Sequence, residues 1–436
     1  MKRRGALVAI VLLARLPLHA AQTAVSVGVP APLRLSLKEA EDLALRSNPQ
    51  MSVARLNALA ADEVTRETRS ALLPSGAIYA TAADAHENSA ISAGGLTNPT
   101  IYERVATGAA VSQLITDFGR TTNLLSSARL RAHAEEENSK ATMAQIILAV
   151  DQAFFRALQS QALLKVAEET VRARQVVVDQ VGALARSQLK STLDLSFAKV
   201  NLAEARLLLL DAQNGVNAGM ATLSEVLGYP TQETFELIEE ETPFLPPPAD
   251  VESLIARARE RRPEVLALDL DYQAAEKFRR AEHDLLRPSV RAVGAVGVAP
   301  IRNQHLSQWY GAVGVNVEIP VFNNFLFVPR AREADLRAAA AEQRMVEVRN
   351  RVSRDVRTSW LDANTAYSRL DVTRQFLDQA SQALDLAETR YGLGLGSIVE
   401  LSQAQLRKTQ AEISDVAAGY QYRLALATLE YQVAGH

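Results

Sequence analysis

The sequence predicts a duplicated chain of mixed α and β class, in which two strand hairpins alternate with two very long helical hairpins. Three observations predict it. Pro49 and Pro74 return as Pro263 and Pro288, 214 residues on, while Val150, Phe154, Ser191, Asp194 and Leu223 return as Val356, Trp360, Ser397, Glu400 and Leu429, 206 residues on. Within each copy the hydrophobic period changes from helical to strand-like and back. No proline occurs from Thr100 to Tyr229 or after Pro329, so very long helices are allowed there.

The elements follow in order. Met1, Lys2, Arg3 and Arg4 precede an apolar run from Gly5 to Leu18 and the small residues Ala20 and Ala21. That is the layout of a secretory signal peptide, residues 1–21, with cleavage near Ala21. The first repeat spans 22–243. Ser36 with Glu39 forms a capping-box pattern, and Asn48 with Pro49 starts a second helix running to Leu73. "SGAIYATAADA" and "RVATGAAVSQLI" then read as a β-hairpin over 75–115, followed by a long helical hairpin over 117–228. "FLPPPAD", residues 244–250, is a stiff proline-rich linker.

The second repeat spans 251–436 and keeps the order of parts. Its helices start at Val251 and at Pro263 and end before Pro288; "SVRAVGAVGV" and "WYGAVGVNVEIPV" make a hairpin over 289–322, and a helical hairpin covers 329–433. In that hairpin Val356, Trp360, Ala363, Tyr367 and Leu370, then Leu377, Ala380, Leu384, Ala387 and Tyr391, step by threes and fours as a coiled-coil seam. The first copy shows the seam through Val150, Phe154, Ala157, Leu164, Val171, Val178, Val181 and Ala185.

Composition narrows the function. The chain has no cysteine, which removes disulfides, thiolate metal sites, cysteine nucleophiles and an N-terminal lipidated cysteine. Four of its 47 basic residues fall in 1–21, leaving 43 against 50 acidic ones, a balance that gives no reason to expect a nucleic-acid partner. After residue 21 no apolar run approaches the roughly 20 residues of a spanning helix, so membrane insertion would require a barrel. Four strands cannot close a barrel alone, so the strand count asks for an oligomer. Trp309, Tyr310, Tyr79 and Tyr102 flank the strands and suit an aromatic girdle or loop packing. The six histidines show no metal-ligand spacing, and no catalytic, cofactor-binding or metal-ligating constellation is present.

"RYGLGLGSIVEL", residues 390–401, holds Gly392, Gly394 and Gly396 between two helical patterns. A phosphate loop needs its glycines after a strand and a Lys-Ser/Thr pair entering a helix, and both are missing. The glycines are instead expected to end one helix in a left-handed cap and reverse it into the next. The counterpart in the first copy is "RSQLKSTLDL", residues 186–195.

Taken with "SQLITDFGR", "VEIPVFNN", the "NP/RP" and "LLP" signals and the duplication, this stretch resembles the TolC-like outer-membrane efflux proteins over nearly all of the mature chain. The resemblance implies a homotrimer in which each protomer gives four strands to a twelve-stranded outer-membrane β-barrel and two helical hairpins to a periplasmic α-helical coiled-coil tunnel. It implies a passive export duct, docked with a periplasmic adaptor and an inner-membrane transporter and held in outer-membrane lipid. Tyr391, Glu400 and Asp194 match the family's periplasmic gate. Gly396 and Gln403 depart from it, standing where the family has a basic residue and a second acid. Three Glu400 carboxylates at a narrowing would repel one another and attract cations, the alternative being a solvated helix residue. Tyr391 ends the seam and suits a packing role or a gate hydrogen bond. Ser187, Ser191, Gly392, Gly394, Gly396 and Ser397 make the tip turns expected to dock the adaptor. The competing reading, a soluble periplasmic coiled-coil adaptor, explains the signal and the heptads but not the duplicated unit.

Overall fold

The computed structural model describes residues 33–83, 104–239, 243–298 and 307–434. The signal peptide expected at 1–21 lies outside them, as do Tyr102, His86 and His305. Strand β1 (Leu33–Leu35) leads into α1 (Leu37–Ser47), where Ser36 Oγ accepts from the Glu39 amide and Glu39 Oε2 accepts from the Ser36 amide at 2.8 Å. That reciprocal pair satisfies two of the helix's orphan donors. Asn48 then caps α2 (Pro49–Ser70), accepting from the Gln50 amide at 2.8 Å. The helix stops three residues short of Leu73, because Ala71, Leu72 and Leu73 bond to carbonyls three residues back in a tightened last turn.

Strands β2 (Ser75–Ala83) and β3 (Arg104–Thr116) form the first hairpin. Helix α3 (Arg120–Arg186) follows, its start held by Asp117, whose Oδ2 accepts from the Thr121 amide at 2.8 Å. It returns as α4 (Thr192–Val226), and β4 (Phe235–Leu237) pairs in parallel with β1. The second copy gives α5 (Val251–Arg261), α6 (Pro263–His283), β5 (Ser289–Val298), β6 (Trp309–Glu318), α7 (Phe327–Gly392) and α8 (Ile398–Ala434). Strand β6 ends at Glu318 rather than continuing to residue 322, since Pro320 has no amide for the ladder. Pro329 sits in the first turn of α7, where its missing donor costs nothing.

At 67 and 66 residues, α3 and α7 each run about 100 Å at 1.5 Å per residue. Helix α3 is covered by α2 and α6 along one part and α4 along another, and α7 by α6 and α8. Val150, Phe154 and Ala157 are buried, as are Val356, Ala363, Ala380, Leu384 and Ala387. Toward its tip the α3 seam runs through Ala167, Thr170, Arg174 and Val181 instead of Val171 and Val178. One 18-residue window of α3 is apolar enough to cross a membrane, which the sequence did not lead us to expect, but 56% of it is buried against neighbouring helices. Asp151 is buried on the same helix with no partner for its Oδ1, and burial first, then the Glu41 carboxylate, push its pKa up to about 7.

The linker at 244–250 is fastened to the second repeat. Tyr422 donates its hydroxyl to the Leu245 carbonyl, and Trp360 Nε1 donates to the Pro248 carbonyl at 2.7 Å. Arg423 lies within 5.9 Å of the ring centroids of Phe155, Phe244 and Tyr420 and pairs with Glu239 at 2.9 Å.

The two hairpins join into one antiparallel sheet of order β2-β3-β5-β6, with β3 pairing β5 across the repeats. Its two faces differ. The rows Gly76–Val111–Gly294–Val313 and Ile78–Ala109–Val296–Gly311 lie on one face with Trp309 and Val315, and that face is apolar. Val313 is 93% exposed and Ile78 84%. The opposite face is mixed, carrying Ser75, Ser112, Arg291, Asn316 and Glu318 beside Val293 and the small-residue row Ala77–Ala110–Ala295–Ala312. Tyr79, Gly108, Gly297 and Tyr310 share one row there, and the Tyr310 ring lies over both glycines, where an added Cβ would run into it. Of the aromatic residues that suited a girdle or loop packing, Trp309 therefore stands on the apolar face and Tyr79 and Tyr310 on the opposite one.

Candidate functional site

The two helix reversals lie together at the end of the helical hairpins away from the sheet. Each uses five residues, 187–191 and 393–397, and each closes with the same pair of hydrogen bonds. In the second tip Gly394, at φ +74°, donates to the Tyr391 carbonyl at 3.1 Å, and Leu395 to that of Arg390 at 2.8 Å. In the first, Gln188 takes the left-handed position at φ +58° and donates to Ala185 at 3.1 Å, while Leu189 donates to Leu184 at 2.9 Å. These are Schellman closures. Of the three tip glycines only Gly394 needs the left-handed region; Gly392 ends α7 with open space around it. Gly396 is needed for room, since a Cβ there would stand 3.2 Å from Arg390 Cβ and 3.3 Å from Glu400 Oε2.

Serines start the return helices. Ser187 is the C-cap of α3, and Ser191 Oγ accepts from the Leu193 amide at 3.1 Å. Ser397 Oγ accepts from the Glu400 amide at 3.1 Å. The Glu400 carboxylate, which would complete a capping box by turning back to Ser397, instead pairs with Arg390 Nε at 3.1 Å. Gln403 is exposed on α8, and Asp194 is half-buried in the first turn of α4.

Beneath the turns Tyr391 packs with Val181, Leu384, Ala387, Ile398 and Leu401, so residues of both hairpins share one apolar cluster. Its hydroxyl is buried without a hydrogen-bond partner. Burial first, and the Asp194 charge second, push its pKa up, so Asp194 reaches it through its field and not through a bond. The tyrosine's contact with the first tip is a cation: Lys190 Nζ lies 4.0 Å from the ring centroid and donates to the Tyr391 carbonyl at 3.4 Å. Deeper in, Arg174 is only 7% exposed and donates to Thr409 Oγ1 at 3.2 Å. Burial pushes its pKa down, while the charges of Glu388, Glu412 and Glu204 oppose that shift.

The structure thus brings Tyr391 and Asp194 close and ties Glu400 to Arg390. Sequence reasoning missed Lys190, Arg390 and Arg174. The repeat held a signal for Lys190, which stands 206 residues before Gly396 in the aligned tip. For Arg174 there was none, because a charge on a helix reads as solvent-facing.

A four-stranded sheet with one apolar and one more polar face and, among the described residues, two unpaired edges, carried on helical hairpins about 100 Å long, defines one subunit of a membrane-embedded duct. The chain belongs to the outer membrane efflux protein family, which it matches over residues 41–229 and 254–436. It is an outer-membrane efflux channel and not an enzyme. It is 24% identical over 421 residues to outer membrane protein TolC of Vibrio cholerae, covering 91% of this chain and 90% of that one. With TolC of Escherichia coli K12 it shares 21% over 428 residues, covering 91% and 84%. In fold it is similar to the outer-membrane channel OprN, with TM-score 0.81 at 18% identity over 92% of this chain and 90% of that one. The open-state MtrE channel of Neisseria gonorrhoeae gives 0.75 at 19% identity over 95% and 94%.

Proposed function

We propose that three copies close a twelve-stranded barrel in the outer membrane and that their helical hairpins form a periplasmic tunnel, the outer duct of a three-part export system. The observation that carries this reading is the four-stranded sheet itself. Among the described residues, strands β2 and β6 each have a free edge, and closing them on neighbouring copies satisfies the ladder groups while turning the apolar face to lipid and the more polar face to the lumen. The division into two structural repeats at 22–243 and 251–436, joined by 244–250, supplies each hairpin with its own tunnel segment.

The tips are the docking end for a periplasmic adaptor, which links the duct to an inner-membrane transporter. Leu189 and Leu193 on the first tip and Leu393 and Leu395 on the second are all more than 60% exposed, a set of apolar apices suited to a partner's helical tip. Tyr391, Asp194, Glu400 and Gln403 form the constriction, which lets cargo pass when the tips part; selection of cargo belongs to the transporter. Arg390 tempers the Glu400 ring by holding part of each carboxylate's field within its own protomer.

Single-channel conductance of the detergent-purified protein in a planar bilayer tests this. A pore whose cation preference falls in Glu400→Ala supports duct and ring together. An unchanged preference removes the ring and leaves the duct. A protein that stays soluble without detergent and never conducts would point back to an adaptor.

A further inference from the structure

The two hairpins of one protomer are tied by polar contacts at three levels. At the apex Lys190 reaches Tyr391. Lower down Asn201 Nδ2 donates to Ser402 Oγ at 2.7 Å, joining α4 to α8. Deeper still Arg174 of α3 donates to Thr409 of α8.

These ties differ in what it takes to break them. Lys190 is half-buried on a turn, so its ammonium regains water as soon as it leaves the ring. Arg174 is walled in, with carboxylates on α4, α7 and α8 supplying its field, and separating the hairpins there would strand a buried cation from them. The side chain that Lys190 grips is also unusual. The Tyr391 hydroxyl is buried and idle, and Lys190 uses only the ring and the main-chain carbonyl. That carbonyl is the one Gly394 donates to in closing the second turn. Lys190 therefore bonds directly into the second tip's turn.

We propose that Lys190 is a latch on the efflux duct: its ammonium, seated on the ring and carbonyl of Tyr391, holds the first tip against the second, and Arg174 is the fixed point above which the tips part. This rests on the reading of the tips as the duct's constriction. Opening then bends the segment between Arg174 and the apex while the hairpins stay joined below. Lys190 is contributed by the first repeat, at the place where the second repeat has Gly396, whose added Cβ would press on Arg390 and Glu400.

The test uses the full-length protein and two readouts, conductance in planar bilayers and hydrogen exchange of the tip amides. Lys190→Met is expected to raise the open fraction and to speed exchange at Gly394 and Leu395 by about three- to tenfold, the range of a partly desolvated cation–π contact. Lys199→Met, the same charge change on an exposed site of α4, is expected to leave both readouts alone. Lys190→Arg is expected to restore most of the exchange protection. Tyr391→Phe keeps the ring and carbonyl and is expected to keep that protection too. The latch is overturned if Lys190→Met exchanges like wild type, or if Tyr391→Phe loses as much protection as Lys190→Met, which would move the tie to the hydroxyl. A chain that never conducts but whose exchange still responds to Lys190→Met would keep the latch and sink the duct.

Discussion

The first tip closes through Gln188 at φ +58° and the second through Gly394 at φ +74°, over turns of the same length and with the same two backbone bonds. Their chemistry diverges. Lys190 of the first answers to Gly396 of the second, and below the tips buried Arg174 answers to buried Ala380. Farther from the tips, buried Asp151 answers to Arg357, which is exposed and paired with Glu252. The difference teaches that the reversal geometry is set by the backbone and survives either residue, whereas the two hairpins have divided their roles. At these aligned positions the first carries the buried charges and the Lys190 bridge, and the second supplies the apolar seam and the ring that Lys190 acts on, while elsewhere Arg423 of the second hairpin reaches back to Glu239 and Phe155.

The strongest way to break that division is to write the first hairpin's charge into the second. Ala380→Arg should cost about 3–5 kcal/mol, because it drives a cation into a buried, close-packed seam position. Thermal unfolding of the purified protein would show it as the largest drop in the series.

Asp151 comes next. Its native pKa of about 7 lies above its ordinary 3.8, so the folded state holds the proton more tightly than the unfolded one. The contribution of Asp151 to stability is therefore most favourable at acid pH and is lost as pH rises from about 4 to 7, with the full penalty present above that. Asp151→Asn should flatten the dependence and raise stability at pH 8 by about 2–4 kcal/mol, read as melting temperature against pH.

Exchanging the left-handed residues sharpens the comparison at the tips. Gly394→Ala should destabilise by about 1–2 kcal/mol and Gln188→Gly should cost nothing or gain up to about 1 kcal/mol, measured by protection of the turn amides. The smallest effect belongs to Arg390→Gln, which removes an exposed pair worth under about 1 kcal/mol. Its signature is a stronger cation preference of the pore, since Glu400 is then freed.

Much of the fold was legible where one local rule decides. Ser36 with Glu39, Asn48 with Pro49, and Pro263 each set a helix start, and the repeat spacing placed both tips. The residues that misled do so for tertiary reasons. Strands β1 and β4, three residues each, exist only because they meet each other, and no propensity marks them. For Tyr79, Tyr310 and Trp309 the sequence left a girdle and loop packing open; strand parity places the tyrosines on the face opposite Trp309, and parity follows from the register between strands. At the site, Tyr391 was legible as the end of a seam. Its grip on Lys190 was not, because it depends on how one hairpin lies against the other.

The pairing of β3 with β5 joins Thr107 to Val298, residues 191 apart in the chain. Helices gain their bonds locally and quickly, while this ladder must wait for a very long loop to close. The subunit would thus complete its helical rods first and its sheet last. Until then the strands carry open edges and bare apolar side chains, the surfaces that aggregate most readily. Bilayer and neighbouring copies become the last reagents of folding, so the concentration of subunits at the membrane sets the pace at which the protein reaches its working form.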